Sequence, residues 1–245
     1  MARVQRERDR FVSFVLKAIC AIAPSDRLTA KVSFQDANTP ITEHGQLIHA
    51  RRIAIATGSV PVLPPILKGL GANVLTNENG FDLPTLPTSL AVFGAGVLGL
   101  KLAQAVSRLG VRVKVFGMGC GIAGIQDAAI RDYANQTFHT KVYLDASAQV
   151  ESVTETATGV EVSYLHRDGA WQPEAFAHVL AATGRVPDLA GLALDKTGLA
   201  LNERGASLFD RCTLQCGDST YLVHLDPTHG LNILVQRTIS VQNQP

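Results

Sequence analysis

The chain has 245 residues, 46% of them hydrophobic, with 22 Lys+Arg against 21 Asp+Glu. That is ordinary composition for a globular protein with a good core, and the near-zero net charge argues against nucleic acid or an acidic membrane surface as partner. No apolar run is long enough to span a bilayer, and the four scattered cysteines (Cys20, Cys120, Cys212, Cys216) make no disulfide framework, so a reducing, cytoplasmic setting is expected.

The chain opens with Arg3, Arg6, Arg8 and Arg10 mixed with Glu7 and Asp9, followed by an apolar stretch to Ala23. Two acids among the basic residues and Lys17 within the apolar part oppose a secretory signal. Phe11, Phe14, Val15, Ala18 and Ile22 fall on one helical face, which predicts an amphipathic helix of the globular body. Pro24-Ser25-Asp26 ends it. Strand patterns follow at Leu28 to Phe34 and Gln46 to His49, then a buried strand ending in Ala56-Thr57-Gly58-Ser59. Pro61 to Pro65 and Leu83-Pro84-Thr85-Leu86-Pro87 read as domain crossings.

Leu90-Ala91-Val92-Phe93 is a short buried strand, and Gly94-Ala95-Gly96-Val97-Leu98-Gly99 follows it in G-x-G-x-x-G spacing. A helix pattern runs from Val97 to Leu109 with Leu98, Leu102, Ala105 and Leu109 on one face. Gly110 stops it, and Val111 to Phe116 is the next strand. Strand, glycine turn, helix and strand form the βαβ context that the dinucleotide fingerprint needs. In that context Gly94 permits the tight turn, Gly96 lets the backbone approach a pyrophosphate, and Gly99 lets helix pack on strand. The free N–H groups and positive dipole end of the helix then face the phosphates, making a dinucleotide the expected ligand.

Gly119 to Gly124 also fits G-x-G-x-x-G, but the next helix has its N-cap at Asp127, beyond the last glycine. This run is expected to be a flexible loop near the ribose end of the ligand. Further on, Asp127 to Phe138 reads as a helix. Lys141 to Leu144, Val160 to Leu165 and Ala175 to Ala181 read as strands, the last two joined by a turn at Asp168-Gly169. Ala182-Thr183-Gly184 echoes Ala56-Thr57-Gly58, and Tyr221 to Leu225 is the last strand candidate. Cys212 and Cys216 have three residues between them and no His/Cys cluster beside them, so no metal site is expected. The seven histidines are dispersed, and no nucleophile–base constellation appears, so no catalytic residue is assigned.

In order and distance, Ala56-Thr57-Gly58-Ser59, the fingerprint Gly94 to Gly99 and Ala182-Thr183-Gly184-Arg185-Val186-Pro187 resemble the flavin-dependent pyridine nucleotide–disulfide oxidoreductases, most closely those of the dihydrolipoamide dehydrogenase type. The resemblance implies an α/β fold, with a Rossmann-like NAD(P)-binding domain at 84–188 inserted in a partial FAD-binding domain at 1–83 and 189–245. It places NAD or NADP at Gly94, Ala95, Gly96, Val97, Leu98, Gly99, Gly117 and Gly184. It places Thr57, Gly58, Ser59 and Asp226 on the flavin side.

There are departures from the family pattern. No cysteine pair with four residues between occurs, nor a second fingerprint for FAD, and the family's catalytic His and Glu belong to a dimer domain with no counterpart here. His224-Leu225-Asp226 stands where the family has Ala-Gly-Asp, and Lys101 replaces a usual Glu. Gly117 stands where an NAD-selecting acid would end the second strand, and Gly117 to Gly124 contains no Arg to grip a 2′-phosphate. The expectation is a family segment that binds NAD(P) and is inactive alone, with a complementary flavin-domain chain as its partner. The alternative is a non-catalytic nucleotide- or partner-binding remnant.

Overall fold

The computed structural model describes residues 1–50, 52–119, 121–166, 168–210 and 212–217, and the backbone of 221–223 and 238–241. In chain order it begins with α1 (Ala2–Cys20), β1 (Val32–Phe34), β2 (Pro40–Thr42), β3 (Ile53–Ala56), β4 (Ser59–Pro61) and β5 (Val74–Leu75). The fingerprint region follows as β6 (Ser89–Phe93), α2 (Val97–Ser107), β7 (Arg112–Phe116), α3 (Ala128–His139) and β8 (Tyr143–Asp145). Next come β9 (Val150–Thr156), β10 (Gly159–Leu165), β11 (Trp171–Phe176), β12 (His178–Ala181) and β13 (Arg185–Pro187), and finally β14 (Tyr221–Val223) and β15 (Thr238–Val241). Two units form: Met1–Leu16 with Pro61–Gly184, and Lys17–Val60 with Arg185–Pro245. The Pro61–Gly184 part of the first unit includes β5, which pairs with β12.

The first unit is built on a parallel five-stranded sheet ordered β5-β12-β6-β7-β8. Apolar residues occupy both faces of these strands, as a sheet covered on both sides requires. Leu90, Val92, Val113, Val115, Leu144 and Leu180 pack toward Leu100 and Ala103 of α2, with Ala134 and Phe138 of α3 alongside. Ala91, Phe93, Phe116 and Val179 face the other way, against Val160, Val162, Tyr164 and Phe176 of the antiparallel sheet β11-β10-β9.

That second face is pinned by a polar cluster. Lys114 Nζ donates to Tyr164 Oη at 2.7 Å and to Glu174 Oε2 at 2.6 Å, and Tyr164 Oη donates to Glu174 Oε2 at 2.9 Å. Arg112 pairs with the other oxygen of Glu174 and lies 4.8 Å over the Phe176 ring.

The second unit holds β3 between β14, which runs parallel to it, and β15, which runs antiparallel. Ile53 and Ile55 of β3 pack with Phe34, Leu192, Leu194 and Cys216. The antiparallel pair β1–β2 belongs to the same unit, and β4 pairs with β13.

Several expectations change. Ala175 to Ala181 is two strands in two sheets, because Ala177 turns the chain and donates its N–H to Ser89 Oγ at 3.0 Å. The partner of Val160–Leu165 across the Asp168-Gly169 turn is therefore Trp171–Phe176. Gln46 to His49 forms no strand, only an isolated bridge at Leu47 to Ile41. The α1 helix exists, but none of its residues is buried: Phe11 is 72% and Phe14 55% exposed. On α2 the buried residues are Gly99, Leu100 and Ala103, while Leu98 on the helix and Leu109 just beyond its end are exposed. Contact at Gly99 sets that rotation, since the residue one turn on, Ala103, must follow it inward.

Candidate nucleotide-binding site

The C-terminal ends of β6 and β12 lie side by side, and from β6 the chain winds one way to β7 and β8 while β12 and β5 lie the other way. That is a topological switch point, where open parallel sheets leave a crevice for a ligand. The Gly94–Gly99 turn sits at its edge.

The three fingerprint glycines are there for different reasons. Gly94 has φ +115°, and a Cβ on it would overlap the Ala182 carbonyl oxygen and come within 2.7 Å of its carbon. Its N–H donates to Phe116 O at 2.8 Å, and Ala182 N–H donates to Phe93 O at 2.8 Å, so the turn is tied to both neighbouring strands. A Cβ on Gly99 would overlap the Gly94 carbonyl oxygen and reach 3.2 Å from Ala182 Cβ. Gly96 is the opposite case. It caps α2 with extended backbone (φ −71°, ψ 174°), and a Cβ there would meet nothing within 4 Å. Neighbouring protein atoms leave no room at 94 and 99, while position 96 faces open space.

The first turn of α2 carries no acidic residue, and the Gly96 cap makes no side-chain hydrogen bond. The first helix bond is Leu100 N–H to Gly96 O at 3.0 Å, leaving the amides of Val97, Leu98 and Gly99 without helical acceptors. Val97 is 51% exposed and Ala95 is buried. These groups and the helix dipole suit an anion approaching Gly96. Lys101 adds an exposed positive charge one turn further along.

The Gly119–Gly124 run differs from expectation. Ile122 is 1% exposed within the helix-side core, and Ala123 N–H donates to the Ala95 carbonyl at 2.8 Å. Burial of one isoleucine and this bond hold the run against the fingerprint turn. Asp127 caps α3 as expected, accepting the Ile130 N–H at 2.9 Å. At Gly117, where the second strand ends, a Cβ would overlap the Ala146 carbonyl oxygen and come within 2.6 Å of its Cα.

The two Ala-Thr-Gly turns differ in their threonines. Thr183 Oγ1 donates to Val62 O at 2.8 Å, and Gly184 (φ +119°) accepts from Val62 N–H at 3.0 Å. Thr57, at the end of β3, is 8% exposed, and its hydroxyl has no partner among the described residues. Gly58 (φ +73°) accepts from Asp188 N–H at 3.0 Å, and Ser59 Oγ accepts from Arg185 Nε at 2.8 Å. A buried, unsatisfied hydroxyl is costly and asks for an acceptor or donor from outside, which fits a bound group on that side. Asp226 lies outside the described residues.

Cys20 and Cys212 are exposed free thiols, and burial pushes the Cys216 thiol up. No group of three or more His, Cys, Asp or Glu that could hold a metal occurs among the described residues, and none of their helices is long and apolar enough to cross a membrane.

The profile of the pyridine nucleotide-disulphide oxidoreductases matches residues 12–214. The chain belongs to this family. Among members, it is 35% identical over 153 residues to a dihydrolipoyl dehydrogenase of Cupriavidus necator, covering 62% of this chain and 32% of that one. It is 32% identical over 157 residues to a glutathione reductase of Burkholderia cepacia, covering 63% and 33%. The solved HOCl-induced flavoprotein disulfide reductase RclA of Escherichia coli superposes with a TM-score of 0.78 at 26% identity, over 93% of this chain and 52% of that one. The chain thus spans about a third of these curated relatives and about half of the solved reductase. The family depends on FAD and NAD(P), and its Rossmann-like fold is the one seen here.

Sequence reasoning found the fingerprint but missed Ala182 and Ala146, whose backbones dictate glycine at 94 and 117. The small residue in the Ala182-Thr183-Gly184 echo was the available signal for the first; nothing marked the second. Ile122, an apolar residue inside a glycine run, was the signal that the second run is anchored.

Proposed function

We propose that this chain supplies the nicotinamide-nucleotide-binding part of a flavoprotein disulfide oxidoreductase of the dihydrolipoamide dehydrogenase type. The observation that supports this most is the open Gly96 between the closed Gly94 and Gly99, at the switch point of a parallel sheet. When bound, the nicotinamide supplies hydride transfer with flavin. The chain's own residues do the holding. The amides of Val97, Leu98 and Gly99 donate to the pyrophosphate, Gly96 admits it, and Ala95 is kept in place by Ala123.

In this reading Gly117 and Gly184 border the nucleotide, and Thr57, Gly58, Ser59 and Asp226 belong to the flavin side. The buried Thr57 hydroxyl supports that side. These 245 residues hold no cysteine pair with four residues between, so in this reading the dithiol and the flavin chemistry of disulfide reduction are supplied from outside them. The domain boundaries at 84 and 188 are proposed on the same basis. Free Cys20, Cys212 and Cys216 fit a reducing cytoplasm.

The second reading is a binding remnant without turnover, favoured by Gly117 and Lys101, which stand where the family pattern has acids. Both readings predict dinucleotide binding by the purified chain, measured by calorimetry with NADH and NADPH. They part when a flavin-domain polypeptide bearing the cysteine pair is added. Nicotinamide-linked disulfide reduction supports the first, and its absence despite complex formation supports the second.

A further inference from the structure

An apolar cavity of about 170 Å³ lies within the first unit, against the second half of α2 and away from the Gly94–Gly99 turn. Leu75 of β5, Leu90 of β6 and Leu180 of β12 line it from the sheet, and Leu102, Ala105 and Val106 line it from α2. Leu102 and Ala105 belong to the apolar stripe that the sequence marks on this helix, and the small Ala105 leaves space that a longer side chain would take. Met1 and Val4 of the first turns of α1 also line the cavity. With Gln5 and Arg8 they make a partly covered stripe at helical spacing. Gln5 Nε2 donates to Leu83 O at 3.1 Å and to Phe81 O at 3.4 Å, and Arg8 pairs with Asp82, so polar side chains strap α1 to the 81–83 segment. Among the described residues that line the cavity, only Thr76 has a polar side chain. Its hydroxyl is already engaged, donating to Asn79 Oδ1 at 3.3 Å and accepting the Glu78 N–H at 3.2 Å.

We infer that this cavity is a binding site for a small uncharged apolar compound, the size of a single six-membered hydrocarbon ring. Size and chemistry both select that class. An apolar cavity of about 150 Å³ stays dry and takes up benzene. Water is held in a cavity only by several polar partners, and the Thr76 hydroxyl and the Phe81 and Leu83 carbonyls are spent on the protein's own bonds. A charged or hydrogen-bonding ligand would give up its bonds to water and gain none in return. Removal of apolar surface from water and dispersion contacts supply the attraction. The site is independent of the nucleotide reading, because neither Gly96 nor the amides of Val97, Leu98 and Gly99 border the cavity.

The test is titration of the intact chain with benzene, followed by methyl chemical shifts and melting temperature, and repeated with hydroquinone and with Ala105→Phe. Ala105 is exposed at the edge of the cavity, so a ring there can fill the opening without displacing the core. The expected result is saturable shifts at Leu75, Leu90, Leu102, Val106 and Leu180, with a melting temperature that rises with benzene concentration. Hydroquinone, whose opposed hydroxyls cannot both stay in water, should bind wild type about tenfold more weakly, and benzene should bind Ala105→Phe more weakly by a similar factor. Saturating benzene should leave NADH titration unchanged. Absence of saturable shifts, shifts spread equally over exposed side chains such as Val12 and Val15, or equal affinity for hydroquinone overturns the inference, whether or not Ala105→Phe folds. So does undiminished benzene binding by a folded Ala105→Phe protein, or displacement of NADH by benzene. Failure of NADH to bind at all overturns the nucleotide reading alone.

Discussion

A Cβ on Gly94 would overlap the carbonyl oxygen of Ala182, so the fingerprint turn and the end of β12 touch backbone to backbone. This contact closes one wall of the switch-point crevice and makes glycine at 94 a folding requirement before any ligand arrives. Gly94→Ala combines that overlap with a left-handed φ of +115°. We predict a loss of about 2–4 kcal/mol in denaturant unfolding. Gly99→Ala, whose Cβ would overlap the Gly94 carbonyl oxygen, should cost a similar amount. Midpoints unchanged from wild type would show that the turn has slack.

The loop beside the fingerprint is anchored by one side chain. Ile122 is 1% exposed and packs in the helix-side core. Ile122→Ala should lose about 2–5 kcal/mol of stability. Amide exchange at Ala123, protected by its bond to Ala95 O, should speed up with it. Retained protection would place the anchor elsewhere.

The Glu174 cluster gives the first unit a pH signature. Burial raises the Glu174 carboxyl, but hydrogen bonds from Lys114 and Tyr164 and the charges of Lys114 and Arg112 outweigh it and leave it below its ordinary value. The stabilisation is therefore complete above the unfolded value of about 4.3 and is lost as pH falls through the lower folded value. Lys114, raised by the same partners against its burial, contributes fully below about 10.4 and loses that contribution as pH rises through its folded value. Glu174→Gln should be about 1–3 kcal/mol less stable at neutral pH and should lack the wild-type decline in the acid window. Parallel acid profiles for the two proteins would contradict this.

Purified alone, the chain is expected to carry no stoichiometric flavin and to show no disulfide reductase turnover. Cys216 is buried and Cys212 exposed, and their spacing is not that of the family's redox pair. An absorbance scan and a nicotinamide-linked assay with added FAD check it. Turnover lost on mutating Cys212 or Cys216 would show that these thiols replace the pair.

The β6–α2–β7 unit is legible in the sequence nearly to the residue because its signals are local: an apolar tetrapeptide, three glycines and a helical stop at Gly110. What was not legible depends on partners far along the chain. Val74–Leu75 is a strand only because Val179 and Leu180 lie beside it. The break at Ala177 is invisible in an apolar run and is made by Ser89, distant in sequence. The Val150–Thr156 strand is exposed and polar along much of its length, and its pairing with β10 defines it. At the site, glycine spacing reveals the turn, but the division of labour among Gly94, Gly96 and Gly99 needs Ala182 in place.

Gly96→Val tests the central claim most directly. A Cβ at this position meets no protein atom and the backbone conformation suits any residue, so the fold should stay within about 1 kcal/mol of wild type. The branched side chain would instead fill the space assigned to the pyrophosphate. Calorimetric titration with NADH should therefore show binding to wild type and none to a folded Gly96→Val protein. Equal binding by both proteins, or none by wild type, would contradict the assignment of the Gly94–Gly99 turn as the nucleotide site.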